Sequence, residues 1–96
     1  MNKFEQIRLW AKERNLYEKG DPKTQTLKLI EEAGELSKGV LKNNKEDIID
    51  GIGDCVVVLT NLSAMYGFKI EDCIEAAWQE IKSRKGKMIN GTFVKE

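Results

Sequence analysis

Histidine is missing from all 96 residues. Its absence removes the commonest general base and the commonest transition-metal ligand together. Any chemistry must therefore run on carboxylates, cysteines, lysines or bound water. Neither charge sign is in excess, with 16 Lys and Arg against 16 Asp and Glu. That balance argues against a nucleic-acid binder or a membrane-surface binder, both of which need a basic surplus. Long apolar runs are lacking too. The longest, Cys55-Val56-Val57-Val58-Leu59, falls far short of the ~20 residues needed to cross a bilayer. The first turns of sequence are charged throughout, so no secretion signal is visible. These absences give the expectation of a cytoplasmic protein with no nucleic-acid and no membrane partner. Cysteine is scarce, and Cys55 and Cys73 both fall inside apolar helical patterns. They read as buried thiols in a reducing compartment, not as a disulfide framework.

What is present reads as one domain, residues 1–96, in an all-α class: a compact four-helix bundle with a short extended or hairpin C-terminal tail. The single proline, Pro22, follows Asp21, and Asp at the cap with Pro at the first helical position is a strong helix start. It separates a first helix over about 2–16 (Phe4, Ile7, Trp10 and Ala11 at helical spacing) from a second over about 22–41. Asn43-Asn44 punctuates the chain. A third helix, opened by Glu46 and Asp47 at its positive end, runs to about Tyr66. Gly67 suits its C-cap, and Ile70, Ile74, Ala77 and Ile81 mark a fourth. Beyond Gly86, an Asn90-Gly91 step between β-formers predicts a small hairpin or an extended tail.

Two lines of carboxylates border this apolar framework. On the second helix Gln25, Lys28, Glu32 and Glu35 step by three or four beside the stripe of Leu29, Ile30, Ala33, Leu36 and Val40, while Glu31 points further away. On the third, predicted to be the most buried helix, the polar stripe is Asp47, Asp50, Asp54 and Asn61. Gly51 and Gly53 each cost about 1 kcal/mol of helix propensity there. Close approach of a ligand would explain that cost, and so would a tight helix crossing. If the two lines face each other, four carboxylates share one half-buried pocket. At ~5 Å and an effective dielectric near 20, each pair repels by about 3 kcal/mol. A cation or altered protonation must then relieve them. All-oxygen ligation selects Mg²⁺, with Mn²⁺ as a substitute. The competing reading is that each acidic pair is solvated surface, with Asp47 serving the helix dipole.

Lys28-Leu-Ile-Glu-Glu-Ala-Gly-Glu-Leu36, followed by Asp50-Gly-Ile-Gly-Asp54-Cys-Val-Val-Val-Leu59, resembles the MazG-like nucleotide pyrophosphohydrolases of the all-α NTP pyrophosphatase superfamily. The resemblance extends to Trp10, to Gln25-x-x-Lys28 and to the closing Ile81-Lys-Ser-Arg-Lys-Gly-Lys-Met88 with Asn90-Gly91-x-Phe93. It implies Mg²⁺ held by Glu31, Glu32, Glu35 and Asp54. The family's remaining glutamate falls on Gly51, which has no side chain to ligate, and Asp50 is the implied substitute. It also implies cleavage of a nucleoside triphosphate between its α- and β-phosphates, giving monophosphate and pyrophosphate, in a homodimer or homotetramer. Glu32 or Glu35 would orient the attacking water as general base. Lys28 would reach a phosphate or merely pair with Glu32. Lys82, Arg84 and Lys85, with Lys87, would meet the polyphosphate or only complement a helix C-terminus. Trp10 would stack on the base or fill the core, and Asn61 would bind substrate or satisfy itself inside the bundle.

The rival function is a non-enzymatic helical interaction module whose acids keep it soluble. A di-iron bundle needs Glu-x-x-His on two helices and is excluded by the missing histidine. Asp50-Gly-Ile-Gly-Asp54 lacks the ligand order of an EF-hand. Assembly is expected on a separate ground, because so small a bundle covers Trp10, Trp78, Met65, Tyr66 and the Val56–Leu62 segment poorly alone.

Overall fold

The computed structural model describes all 96 residues, Met1–Glu96. Helix takes up 71% of the chain, which settles the predominantly helical class. The elements are α1 (Lys3–Glu13), α2 (Leu16–Lys19), α3 (Pro22–Leu41), α4 (Lys45–Met65), α5 (Ile70–Ile81), β1 (Gly86–Ile89) and β2 (Thr92–Lys95). There are five helices where four were expected. The expected first helix is split, because Asn15 adopts a left-handed conformation (φ 61°) and the chain restarts as the short α2. Asparagine enters that region more readily than most residues because its short amide can bond locally.

The helix starts are cut by their caps. Asn2 and Glu5 form a reciprocal capping box on α1. The Asp21 carboxylate accepts from the Thr24 backbone N–H and hydroxyl, at 2.9 Å each, and Pro22 follows at the first helical position. Those hydrogen bonds hold the Asp21 carboxyl below its ordinary pKa. Asn44 caps α4 through the Asp47 N–H.

The body of the molecule is the antiparallel pair α3–α4, joined by a short connection through Asn43, whose φ is 52°. At Gly51 an added Cβ would meet the Leu36 Cβ at 2.8 Å and its Cα at 2.9 Å. At Gly39 it would meet the Asp47 Cβ at 2.9 Å. The two helices therefore touch backbone to side chain through glycines. A tight crossing, not a ligand, explains Gly51. Gly53 has nothing within 4 Å, so crowding does not explain it.

Helix α4 is the core helix. It carries five of the seven buried residues, Gly51, Val58, Thr60, Asn61 and Ser63, and touches each of the other four helices. It is also long and apolar enough to cross a membrane by length and composition. Its position among four other helices, and Asp50 and Asp54 within the span, are features of a bundle core, since a carboxylate at bilayer depth is costly. Asn61 is 2% exposed and accepts a 2.7 Å hydrogen bond from the Tyr17 hydroxyl, which ties α2 to α4. Burial raises the Tyr17 phenol above its ordinary pKa, and the nearby Arg8 charge opposes that shift.

The remaining elements are held loosely. No residue of α5 is buried. Its N-terminal turn is joined to α1 by a bidentate pair, with Arg8 donating to both Glu71 carboxylate oxygens at 2.6 and 2.8 Å. The predicted hairpin forms, antiparallel, with Met88 opposite Phe93 and a turn in which Asn90 and Gly91 both have positive φ (50° and 83°). Two consecutive positive φ values are what the tight hairpin turn requires, and Asn-Gly supplies them cheaply. Both strands are exposed along their length.

The result is less compact than the expected bundle. The radius of gyration is 15.7 Å, against about 12.5 Å for a compact chain of this length. The cysteines also depart from expectation: Cys55 is half-buried and Cys73 is exposed. Cys73 lies on α5, the helix that the rest of the chain barely covers.

Candidate functional site

Lys28, Glu32, Glu35, Gly39 and Lys42 recur at three- and four-residue intervals along one flank of α3. Asp47, Asp50 and Asp54 do the same on α4. Because the helices run antiparallel and touch at Gly51 and Gly39, these flanks lie side by side. Together they enclose a cavity of about 300 Å³ lined by Glu32, Glu35, Lys38, Lys42, Asp47, Asp50, Gly51 and Asp54, with no hydrophobic residue among them. The facing of the two carboxylate lines that the spacing predicted is therefore present. The cavity is open, however, and not half-buried: Glu35, Asp47, Asp50 and Asp54 are exposed, and only Glu32 is partly covered. Water screens exposed charges, which is how five carboxylates coexist on one surface.

The remaining anticipated residues separate into those at the cavity and those away from it. Lys28 sits beside it, its Nζ 3.6 Å from Glu32 Oε1 and 3.8 Å from Glu31 Oε1. Glu31 does not line the cavity and is exposed, as its position on the helix required. Gln25, one turn before Lys28, is half-buried and also outside the lining. Asn61 continues the aspartate stripe but is closed off by Tyr17. Arg84 reaches back to Glu80 at 3.4 Å, and neither it nor Lys82 or Lys85 lines the acidic cavity. The hairpin does not fold over the site.

Trp10 has a different setting. It lines a second, apolar cavity of about 350 Å³ with Lys3, Gln6, Ile7 and Val57. The Arg14 guanidinium lies 4.5 Å from the ring centroid, so one face of the indole is already covered. At 47% exposure Trp10 is not a core residue. Val57 follows Asp54 by one turn on α4, so neighbouring positions of one helix border the acidic and apolar cavities.

Sequence reasoning missed Lys38 and Lys42, and it placed Asp47 on the polar stripe without counting it among the site residues. The stripe containing Glu32 and Glu35 continues through Gly39 to Lys42, with Lys38 beside it. Extending the same arithmetic by two turns would have found them.

The donor set suits a hard divalent cation: carboxylate oxygens from two helices, with no imidazole and no thiolate. No three acidic or cysteine side chains close around a common point in this arrangement. Glu35, Asp50 and Asp54 line the cavity as exposed side chains.

The family profile of the MazG nucleotide pyrophosphohydrolase domain matches residues 21–89, from the cap of α3 to the end of β1. A relative is a phage protein, described as an uncharacterized 18.2 kDa protein in the rep-hol intergenic region of Haemophilus phage HP1 (strain HP1c1). It is 51% identical over 57 residues, which are 59% of this chain and 35% of that protein. The match thus spans about a third of the relative's own length. No solved structure matches. The profile takes in α3, α4 and every residue lining the acidic cavity, and on that match the chain belongs to the MazG nucleotide pyrophosphohydrolase domain family.

Proposed function

We propose that this chain is a Mg²⁺-dependent hydrolase that converts a nucleoside triphosphate to its monophosphate and pyrophosphate. One observation carries the proposal: a cavity lined by five carboxylates and two lysines lies one helical turn from an apolar cavity with a tryptophan at its wall. A nucleotide has the same two ends, a polyanion and a flat apolar base.

Glu32, Glu35, Asp50 and Asp54 are the residues that would hold the cation. When bound, Mg²⁺ would neutralise phosphate charge and lower the pKa of a water molecule. Lys38 and Lys42 supply positive charge on the α3 side, within the cavity, where a triphosphate needs it. Lys28 steadies Glu32 through the 3.6 Å contact. Glu35 has no such partner among the ion pairs, which favours it as the base that orients water and accepts its proton. The uncovered face of Trp10 suits stacking of the base, with Ile7 and Val57 beside it.

The test is pyrophosphate release from nucleoside triphosphates, with Mg²⁺ and with EDTA. Metal-dependent release is expected. Glu35→Gln should lower kcat by about 100-fold or more, the usual scale for a lost general base. Release that persists in EDTA, or a Glu35→Gln enzyme of normal kcat, would sink this reading. A chain that turns over nothing while remaining folded would favour the interaction-module alternative.

A further inference from the structure

The acidic cavity is unevenly charged along its length. Gly39 on α3 adjoins Asp47 on α4, and Leu36 adjoins Gly51. Because the helices are antiparallel, the next turns bring Glu32 level with Asp54. One end of the cavity therefore holds Glu32, Glu35, Asp50 and Asp54. The other end, where α3 finishes and α4 begins, holds Lys38, Lys42 and Asp47. The first end has four carboxylates and no lysine of the lining. The second has two ammonium groups for one carboxylate.

The apolar cavity gives this polarity a direction. Val57, in its wall, lies one turn beyond Asp54 on α4, so it adjoins the carboxylate end. From Val57 back to Asp47 is about 15 Å along the helix axis, at 1.5 Å per residue. The lysines are thus at the end remote from Trp10. Both are exposed, and neither takes part in an ion pair; the pairs on α3 run from Lys28 to Glu31 and Glu32. Lys38 and Lys42 also stand one turn apart on one helix face, where like charges repel. An anion between them relieves that repulsion.

We propose that Lys38 and Lys42 form the subsite for the β- and γ-phosphates, the pair released as pyrophosphate, and so favour triphosphates over monophosphates. The assignment rests on the hydrolase reading and gives its substrate a direction. The base lies at Trp10, the cation among the four carboxylates, and the outer phosphates at the end of α3. Recognition of the polyphosphate also moves off the C-terminal segment, since Lys82, Arg84 and Lys85 lie outside the cavity. A lysine suits the role as a compact charge with three donors on a flexible stem.

Calorimetric titration with inorganic pyrophosphate in excess Mg²⁺ tests the subsite without turnover. Affinity should fall about tenfold for each lysine removed, in Lys38→Ala and in Lys42→Ala, the scale of a charge-assisted hydrogen bond. Lys38→Arg with Lys42→Arg keeps both charges and should keep most of the affinity. Arg84→Ala with Lys85→Ala should bind as the wild type does. In steady-state kinetics the alanine variants should raise KM for the triphosphate. A wild type that binds no pyrophosphate would overturn the proposal. So would unchanged affinity in the double alanine variant; with a lowered melting temperature, that result would make the lysines dipole partners of α3. Loss of affinity in the Arg84–Lys85 variant instead would overturn it too. The hydrolase reading fails separately: a chain that binds pyrophosphate through the two lysines but releases none from any triphosphate keeps the subsite and loses the reaction.

Discussion

The pair α3–α4 and the arm formed by α5 and the hairpin are built from similar material and end up held very differently. Both α4 and α5 have apolar residues at helical spacing. Yet α4 contributes five buried residues and α5 none. The difference lies in small residues. Gly39 and Gly51 let the axes of α3 and α4 come close enough for side chains to meet across the crossing. Helix α5 has only alanines among its small residues, buries no residue, and is tied at its first turn to α1, where Arg8 holds Glu71. Hydrophobic periodicity marks which face a helix would bury. Whether the chain buries it depends on how close the backbones can come.

The largest effect should come from breaking the closer contact. Gly51→Ala places a Cβ 2.8–2.9 Å from Leu36 atoms, one of them backbone, so α3 and α4 must part. The expected cost is about 1–3 kcal/mol, typical of overpacking. Gly53→Ala, on the same helix, meets nothing within 4 Å and should instead gain up to about 1 kcal/mol from helix propensity. Urea denaturation of both variants checks the contrast. Equal effects would mean that the crossing at Leu36 is not what separates the two glycines.

A smaller loss is expected where α2 meets α4. Tyr17→Phe leaves the buried Asn61 carbonyl without its 2.7 Å donor. That should cost about 1–2 kcal/mol, the usual penalty for a buried group whose partner is removed. A variant of wild-type stability would show that another donor reaches Asn61.

The smallest global effect should come from freeing the arm. The Arg8 hydrogen bonds hold the Glu71 carboxyl down to about 2, from an ordinary value of 4.5. A carboxyl with a depressed native pKa contributes stability that is fully present above its unfolded value. That contribution is lost as pH falls through the native value. The stability difference between wild type and Glu71→Gln should therefore be flat above pH 4.5 and shrink between there and about pH 2. Hydrogen exchange in the variant should quicken in α5 and leave α4 protected, because α4 does not depend on the pair. Uniform quickening would mean that arm and body unfold together.

These contrasts also mark how far the sequence could be read. The stripes of Glu32–Glu35 and Asp50–Asp54 were legible because helical periodicity alone places them, and the Asn90-Gly91 hairpin because its turn chemistry is local. The break at Asn15 was not, since a single left-handed asparagine leaves the apolar spacing of Phe4, Ile7 and Ala11 undisturbed. Nor could spacing distinguish Gly51, pressed against Leu36, from Gly53 in open space. The cysteines were misjudged for a related reason. Cys73 does occupy the apolar side of its helix, but the chain covers that side too little to bury any residue on it.

The openness of the acidic cavity has a kinetic consequence. Its five carboxylates outnumber its two lysines, so without a cation it should repel an approaching polyanion. The screening length falls from ~30 Å at 0.01 M salt to ~8 Å at physiological salt. Added monovalent salt should therefore speed the arrival of a metal-free triphosphate, the reverse of what a cationic site would show.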